Sequence, residues 1–271
     1  MKRRSFIALP YIIWSAIFII APLLIVLWFA FTDRDGAFTF NNITGLGVFL
    51  PTFWYSLLLG ALAALVCLVI AYPAAYCISR FSPKVRSFLI MLVVLPMAMS
   101  FLLRTISWVA LLSDNGYINR FLSSLGFGTL PLIRNPAAVL VGMVYNYLPY
   151  MILPIYTVLV KIDPKLSEAA KDLGAGKGQV FLRVTLPLSV PGVLSGIMMV
   201  FVPAVSTFYI SKKLGGTESA MIGDIIEQQF KTAYNPNVGA AMSLVLMILI
   251  FLSMAVINKF GEKGGGGNML L

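Results

Sequence analysis

The sequence predicts an all-α membrane protein with six transmembrane helices, and three observations carry that prediction. Of 271 residues, 59% are hydrophobic and only 11% are charged, too little charge to cover a water-soluble domain of this length. The apolar residues fall in long runs, and a bilayer-spanning helix needs about 20 of them in succession. Basic residues, finally, alternate between loops as a topology signal does.

Six runs qualify, at residues 11–31, 52–79, 87–112, 136–160, 190–211 and 238–257. Five contain no Asp, Glu, Lys or Arg, and the third contains Arg104 alone. The first run is not followed by a small-residue cleavage site, so it is expected to remain as a span. Lys2, Arg3, Arg4, Arg80, Lys84, Arg86, Lys161, Lys165, Lys171, Lys177, Arg183, Lys259 and Lys263 fall on one side of the membrane. The other side has only Arg34, Arg120, Arg134, Lys212, Lys213 and Lys231. Cytoplasmic loops carry the basic excess, so both termini are expected in the cytoplasm. The net charge of +10 is then a topology signal and requires no nucleic-acid partner. Cys67 and Cys77 lie on one predicted helix, about 15 Å apart and beyond disulfide reach; both are expected in the core. The glycines at 264–267 are expected to form a flexible end.

The loop between the fourth and fifth spans departs from a plain connector. About 29 residues lie between Val160 and Val190, with helix signals of their own. Asp163 suits an N-cap, Pro164 the first helical position, and Gly174 the stop. Between them Leu166, Ala169, Ala170 and Leu173 recur at helical spacing as one apolar stripe. Two alanines make a poor membrane anchor and a good close-approach surface, so the stripe reads as a protein docking face rather than a lipid-surface helix.

Glu168-Ala169-Ala170, three residues, Gly174, nine residues, then Val184-Thr185-Leu186-Pro187 resembles the EAA loop of bacterial binding-protein-dependent ABC importers, with valine in place of isoleucine. The resemblance implies a type I ABC permease fold over residues 53–257. Residues 1–52 add an N-terminal tail, the first span and an outer loop, and 258–271 form a cytoplasmic tail. It further implies that the loop at about 161–187 couples to a separate ATPase through Glu168, Ala169, Ala170, Leu173, Gly174, Leu186 and Pro187. ATP and Mg would be used by that ATPase, and no cofactor is expected on this chain.

The run Leu173-Gly174-Ala175-Gly176-Lys177-Gly178 is not a phosphate-binding loop. That loop needs glycine five residues before Gly-Lys, and a hydroxyl residue after it. Lys171 and Gly178 occupy those places. The chain is therefore expected not to be an enzyme.

Residues 100–108, Asn115 to Asn119, 145–156, Leu214-Gly215-Gly216 and Met221 to Phe230 resemble one branch of the family, the first permease subunits of spermidine/putrescine importers. This implies polyamine transport in the bacterial inner membrane. The implied partners are a related second permease, two ATPase subunits, an extracytoplasmic polyamine-binding protein and membrane lipid. Another small solute, an inorganic anion or an iron complex, is the alternative within the family.

Arg104 is a functional candidate because charge inside a span is costly. Taken as one straight helix from Ser87, the third span lifts it about 26 Å, close enough to the outer surface to snorkel. Anchor and gate are both open readings. Tyr145, Asn146 and Tyr150, with Trp108, are candidate pathway residues, since aromatic faces attract cations; helix packing and interface anchoring are the alternative. Pro149 and Pro154 are expected to disrupt that helix. Asp224 and Glu227, on a predicted amphipathic helix, either guide cations or form a solvated face.

Two other classes are disfavoured. An intramembrane enzyme needs paired acids, a serine with a base, or metal ligands, and the chain has no His and no Asp, Glu or Lys in its spans. The same lack of membrane carboxylates disfavours an ion-coupled secondary transporter. No metal site is expected.

Overall fold

The computed structural model describes residues 10–11, 13–216 and 219–264, with backbone alone for 260–264. Lys2, Arg3, Arg4 and the glycines at 265–267 lie outside the described residues. The described chain is helical, and its one extended feature is an isolated bridge between Thr32 and Phe38.

In chain order the principal helices are α1 (Ile13–Ala30), α2 (Leu50–Arg80), α3 (Pro83–Val94), α4 (Phe101–Leu112), α5 (Tyr117–Ser124), α6 (Pro136–Lys161), α7 (Pro164–Asp172), α8 (Lys177–Val205), α9 (Ile222–Lys231) and α10 (Pro236–Gly264), with one further turn of helix at Asn41–Thr44 between α1 and α2. Helices α2, α6 and α8 pack on one another as the centre of the molecule. On α2, Ala63, Cys67, Ala71 and Ala75 follow at four-residue spacing and all are fully buried. Small residues on one stripe let neighbouring backbones approach closely, which is how helices associate where lipid offers no hydrophobic driving force. Cys77 departs from the expected core position and is exposed, since it lies off that stripe. At the α6–α8 contact a side chain on Gly192 would come within 2.8 Å of the Pro154 carbonyl oxygen, so only glycine fits.

Three spans differ from the sequence expectation. The third is broken: α3 ends in a 3-10 turn at Leu95–Ala98, and the segment Phe101–Ser124, which holds α4 and α5, leaves it at 88°. Pro96 supplies the cause, because its ring removes a helix donor and clashes with the preceding turn. The fifth begins at Lys177 rather than 190, through a π turn at Phe181–Thr185. Half of the supposed connector is therefore helix, and Pro187 lies inside it, in the first turn after the π turn. The fourth span runs unbroken through Pro149 and Pro154, as proline is tolerated inside membrane-spanning helices.

Polar ties fix the periphery. Asn237 Nδ2 donates to the Thr32 carbonyl at 2.6 Å, and Asn42 Nδ2 donates to the same oxygen at 2.7 Å. These bonds join the end of α1 to the start of α10, the helix it packs against. The Ile222 N–H donates to Ser56 Oγ at 2.8 Å, pinning α9 to α2. Asn119 holds α5 down through three bonds, to the Ser113 carbonyl and to both backbone groups of Leu130.

Candidate functional site: the coupling loop and the intramembrane polar groups

Helix α7 is fixed at both ends by local chemistry. Asp163 caps the start, its carboxylate accepting the Lys165 N–H at 2.9 Å, with Pro164 in the first turn. At the other end the Ala175 N–H donates to the Ala170 carbonyl at 3.0 Å and the Gly174 N–H to Lys171 at 2.8 Å. That reciprocal pair is a Schellman cap, and it needs the left-handed backbone that Gly174 adopts at φ +83°. The buried residue of α7 is Ser167. Leu166 is 48% exposed and Leu173 89% exposed; Glu168 and Ala169 are exposed and Ala170 half-buried. Three of the four stripe residues, Leu166, Ala169 and Leu173, therefore face away from the rest of the chain, with Ala170 at the stripe's inner edge.

The segment after α7 reaches directly into the bundle. Phe181, opening the π turn, packs edge-on against Tyr76 and Tyr72 of α2. Tyr72 and Ser189 of α8 share a hydrogen bond of 2.8 Å between their hydroxyls. Arg80 closes the cluster, its guanidinium 4.9 Å from the Tyr76 ring centroid and bonded to the Tyr76 hydroxyl at 3.1 Å. Leu186 and Pro187 lie in the helical stretch that continues from this turn. Sequence reasoning passed over Phe181, Tyr72 and Tyr76. The one available signal was the pair of tyrosines a turn apart above Arg80.

Arg104 is 5% exposed, and its Nε and Nη1 are enclosed without a hydrogen-bond partner. The break before α4 removes the straight 26 Å rise on which snorkelling depended, and the burial shows where the side chain goes instead: inside. One turn further along α4, Trp108 meets Tyr145 edge-on at 5.4 Å. Asn146 is fully buried; its Nδ2 donates to the Gly142 carbonyl at 2.8 Å while its Oδ1 has no partner. Tyr150 is 37% exposed. The structure thus joins Trp108 to Tyr145 and separates Asn146, inside the bundle, from Tyr150 at its surface.

On the face opposite α7, the two acids of α9 are already engaged. Asp224 turns back to cap its own helix, accepting the Met221 N–H at 2.8 Å, and burial raises its carboxyl above the usual range. Glu227 takes Lys231 at 2.8 Å and Lys212 at 3.0 Å. Those hydrogen bonds hold its carboxyl below the usual range, the Lys231 bond contributing most. In this conformation neither carboxylate is presented to a passing cation.

A helical bundle carrying a rigid exposed helix on one face has the organisation of a transporter membrane subunit. The family model described as "Binding-protein-dependent transport system inner membrane component" matches residues 67–263. The chain is 37% identical to the spermidine/putrescine transport system permease protein PotB of Haemophilus influenzae, over 90% of this chain and 88% of that protein. It is 36% identical to PotB of Escherichia coli, over 90% and 92%. A crystal structure of a bacterial ABC transporter importing the acidic polysaccharide alginate superposes with a TM-score of 0.82 at 19% identity, covering 97% of this chain and 96% of that one. An inward-facing MetNI methionine ABC transporter gives 0.61 at 17% identity, over 81% and 98%. This chain belongs to the family of binding-protein-dependent transport system inner-membrane components. It is a multi-pass inner-membrane permease of the ABC importer type.

Proposed function

We propose that this permease carries polyamines of the spermidine and putrescine class, by alternating access driven from a separate ATPase that docks on α7. The observation that carries the reading is the stripe of exposed Leu166, Ala169 and Leu173, with Ala170 at its edge, on a helix capped at both ends. Apolar residues held rigidly in the open are stabilised by a partner that covers them. Nearly full-length identity to two PotB permeases supports the substrate class.

The division of labour follows from the chemistry. Polycations lose hydration on entering a bilayer, so the protein has to supply a path of weak, repeated sites. The Trp108–Tyr145 pair offers aromatic faces of that kind, worth about 0.5–2 kcal/mol per cation contact. With no carboxylate in any span, charge selection falls to the extracytoplasmic binding protein and the second permease. Arg104 repels a cation, which suits a gate in the path better than a binding site. ATP and Mg are used on the ATPase, and this chain performs no covalent chemistry.

The test is uptake of labelled spermidine and putrescine by proteoliposomes holding this chain with its second permease, ATPase and binding protein. ATP-dependent uptake of either polyamine supports the reading. Uptake of another solute class with no polyamine transport contradicts the substrate. Hydrolysis of ATP by this chain alone contradicts the division of labour.

A further inference from the structure

We propose that the groove between α8, α9 and α10 binds one anionic phospholipid from the leaflet on the face opposite α7. The groove holds about 660 Å3, and Val202, Ile226, Phe230, Met247, Ile250 and Met254 supply much of its apolar wall. Along α10 it runs from Ser243 to Met254, about 16 Å at the helical rise. That is about half of a 30 Å hydrocarbon core, the depth of one leaflet.

Its mouth carries charge of the sign a phosphate needs. Glu227 and Lys231 line the opening, and Lys212 reaches the same carboxylate. Two ammonium groups on Glu227 leave a surplus positive charge at the exposed edge, because Asp224, the other acid of α9, is turned back onto the Met221 N–H. The lysine side chains are 60% and 72% exposed, so donors not spent on Glu227 are free to meet a headgroup. Helix α9 thus presents an apolar underside to a one-leaflet slot and a cationic edge to the interface, which is the shape and charge of an anionic amphiphile. A helix of the second permease would fill the slot as well, yet it would have to bring a carboxylate to the same height.

The experiment uses the assembled importer in nanodiscs of equimolar phosphatidylglycerol and phosphatidylethanolamine. A photo-crosslinking phenylalanine derivative replaces Met247, and the mass of the adduct on this chain is read. The expected result is phospholipid adducts favouring phosphatidylglycerol by about fivefold, the ratio one surplus interfacial charge supplies. The preference should fall to onefold or below in K212Q/K231Q, which leaves the Glu227 carboxylate uncovered, and to about onefold in wild type at high salt, which covers the case of a variant that assembles poorly. I250W should reduce all lipid adducts by filling the slot. A crosslink to the second permease overturns the proposal. So does an equal yield of the two lipids, or a preference that survives both the double substitution and salt.

Discussion

Phe181 stands edge-on to Tyr76, with ring centroids 5.4 Å apart and planes at 84°. The same ring meets Tyr72 at 5.9 Å. Phe181 follows α7 in the chain, while both tyrosines belong to the longest helix of the central trio. A push on α7 therefore has an aromatic lever against α2, and the Tyr72–Ser189 hydrogen bond ties α2 back to α8. Packed rings transmit displacement because interiors have no slack to absorb it.

Removing that lever should separate docking from transmission. F181A leaves the exposed stripe of α7 untouched, so the ATPase should still co-purify at wild-type yield. Uptake per ATP hydrolysed should fall at least severalfold. Wild-type coupling in F181A, measured as the ratio of uptake to hydrolysis, would remove Phe181 from the path.

Arg104 should show a trade between stability and function. Two of its guanidinium nitrogens, Nε and Nη1, are enclosed without a hydrogen-bond partner, a desolvation cost that an apolar side chain of similar size does not carry. R104M should hold or raise the melting temperature of the assembled importer while lowering uptake. R104K keeps the charge but not the planar fork, so normal assembly with reduced uptake is expected. A lower melting temperature with normal uptake in R104M would show instead that Arg104 is a structural tie.

The α6–α8 seam should be intolerant of volume. In G192V the added carbons meet the Pro154 carbonyl and Ile155 Cα, backbone atoms that cannot move aside. The expected cost is about 1–3 kcal/mol or more, read as lower membrane abundance and an earlier thermal transition. G178A is the control, since nothing lies within 4 Å of its added carbon. Equal behaviour of the two variants would contradict the packing described.

The two acids of α9 should respond to pH with opposite sign. Glu227 is held below the usual range by Lys231 and Lys212, so its contribution is present above the ordinary carboxylate pKa and disappears as pH falls through the lowered one. E227Q should cost about 0.2–1 kcal/mol near neutrality, and less at pH 3 or in high salt. Asp224 is raised by burial, so its charged form opposes folding and that penalty is absent below its unfolded pKa. D224N, which keeps an oxygen for the Met221 N–H, should be neutral or stabilising at pH 7, with the gain vanishing in acid. Thermal denaturation of the importer across pH measures both; the reverse order of the two variants would contradict the assignments.

What the sequence made legible was local. Asp163, Pro164 and Gly174 announce the ends of α7 because caps depend on neighbouring residues alone, and the stripe between them is periodic. Five spans announce themselves by length. The break before α4 was hidden because Leu95, Met97 and Met99 continue the apolar run across Pro96; hydropathy registers composition, whereas the bend is backbone chemistry. The early start of α8 was hidden for the opposite reason, since Lys177, Arg183 and Pro187 resemble loop residues while the backbone is already helical. The burial of Arg104, the parting of Asn146 from Tyr150 and the Phe181 contact are tertiary facts, set by which helices meet. No local pattern encodes them.

Coupling to a separate ATPase rests on the small-residue face of α7. A170E places a bulky carboxylate on that face, half-buried in the chain itself, where a close partner would clash with it and leave it unpaired. G174V removes the residue that adopts φ +83° and so unmakes the helix stop. Both changes lie outside the spans, so insertion and pairing with the second permease should persist. The decisive measurement is ATPase retained per permease pair after purification, taken beside polyamine uptake, for wild type, A170E and G174V. Normal membrane subunits are expected in both variants, with the ATPase lost or uncoupled and uptake abolished. Wild-type retention and wild-type uptake in both would contradict that coupling role and leave the loop a connector.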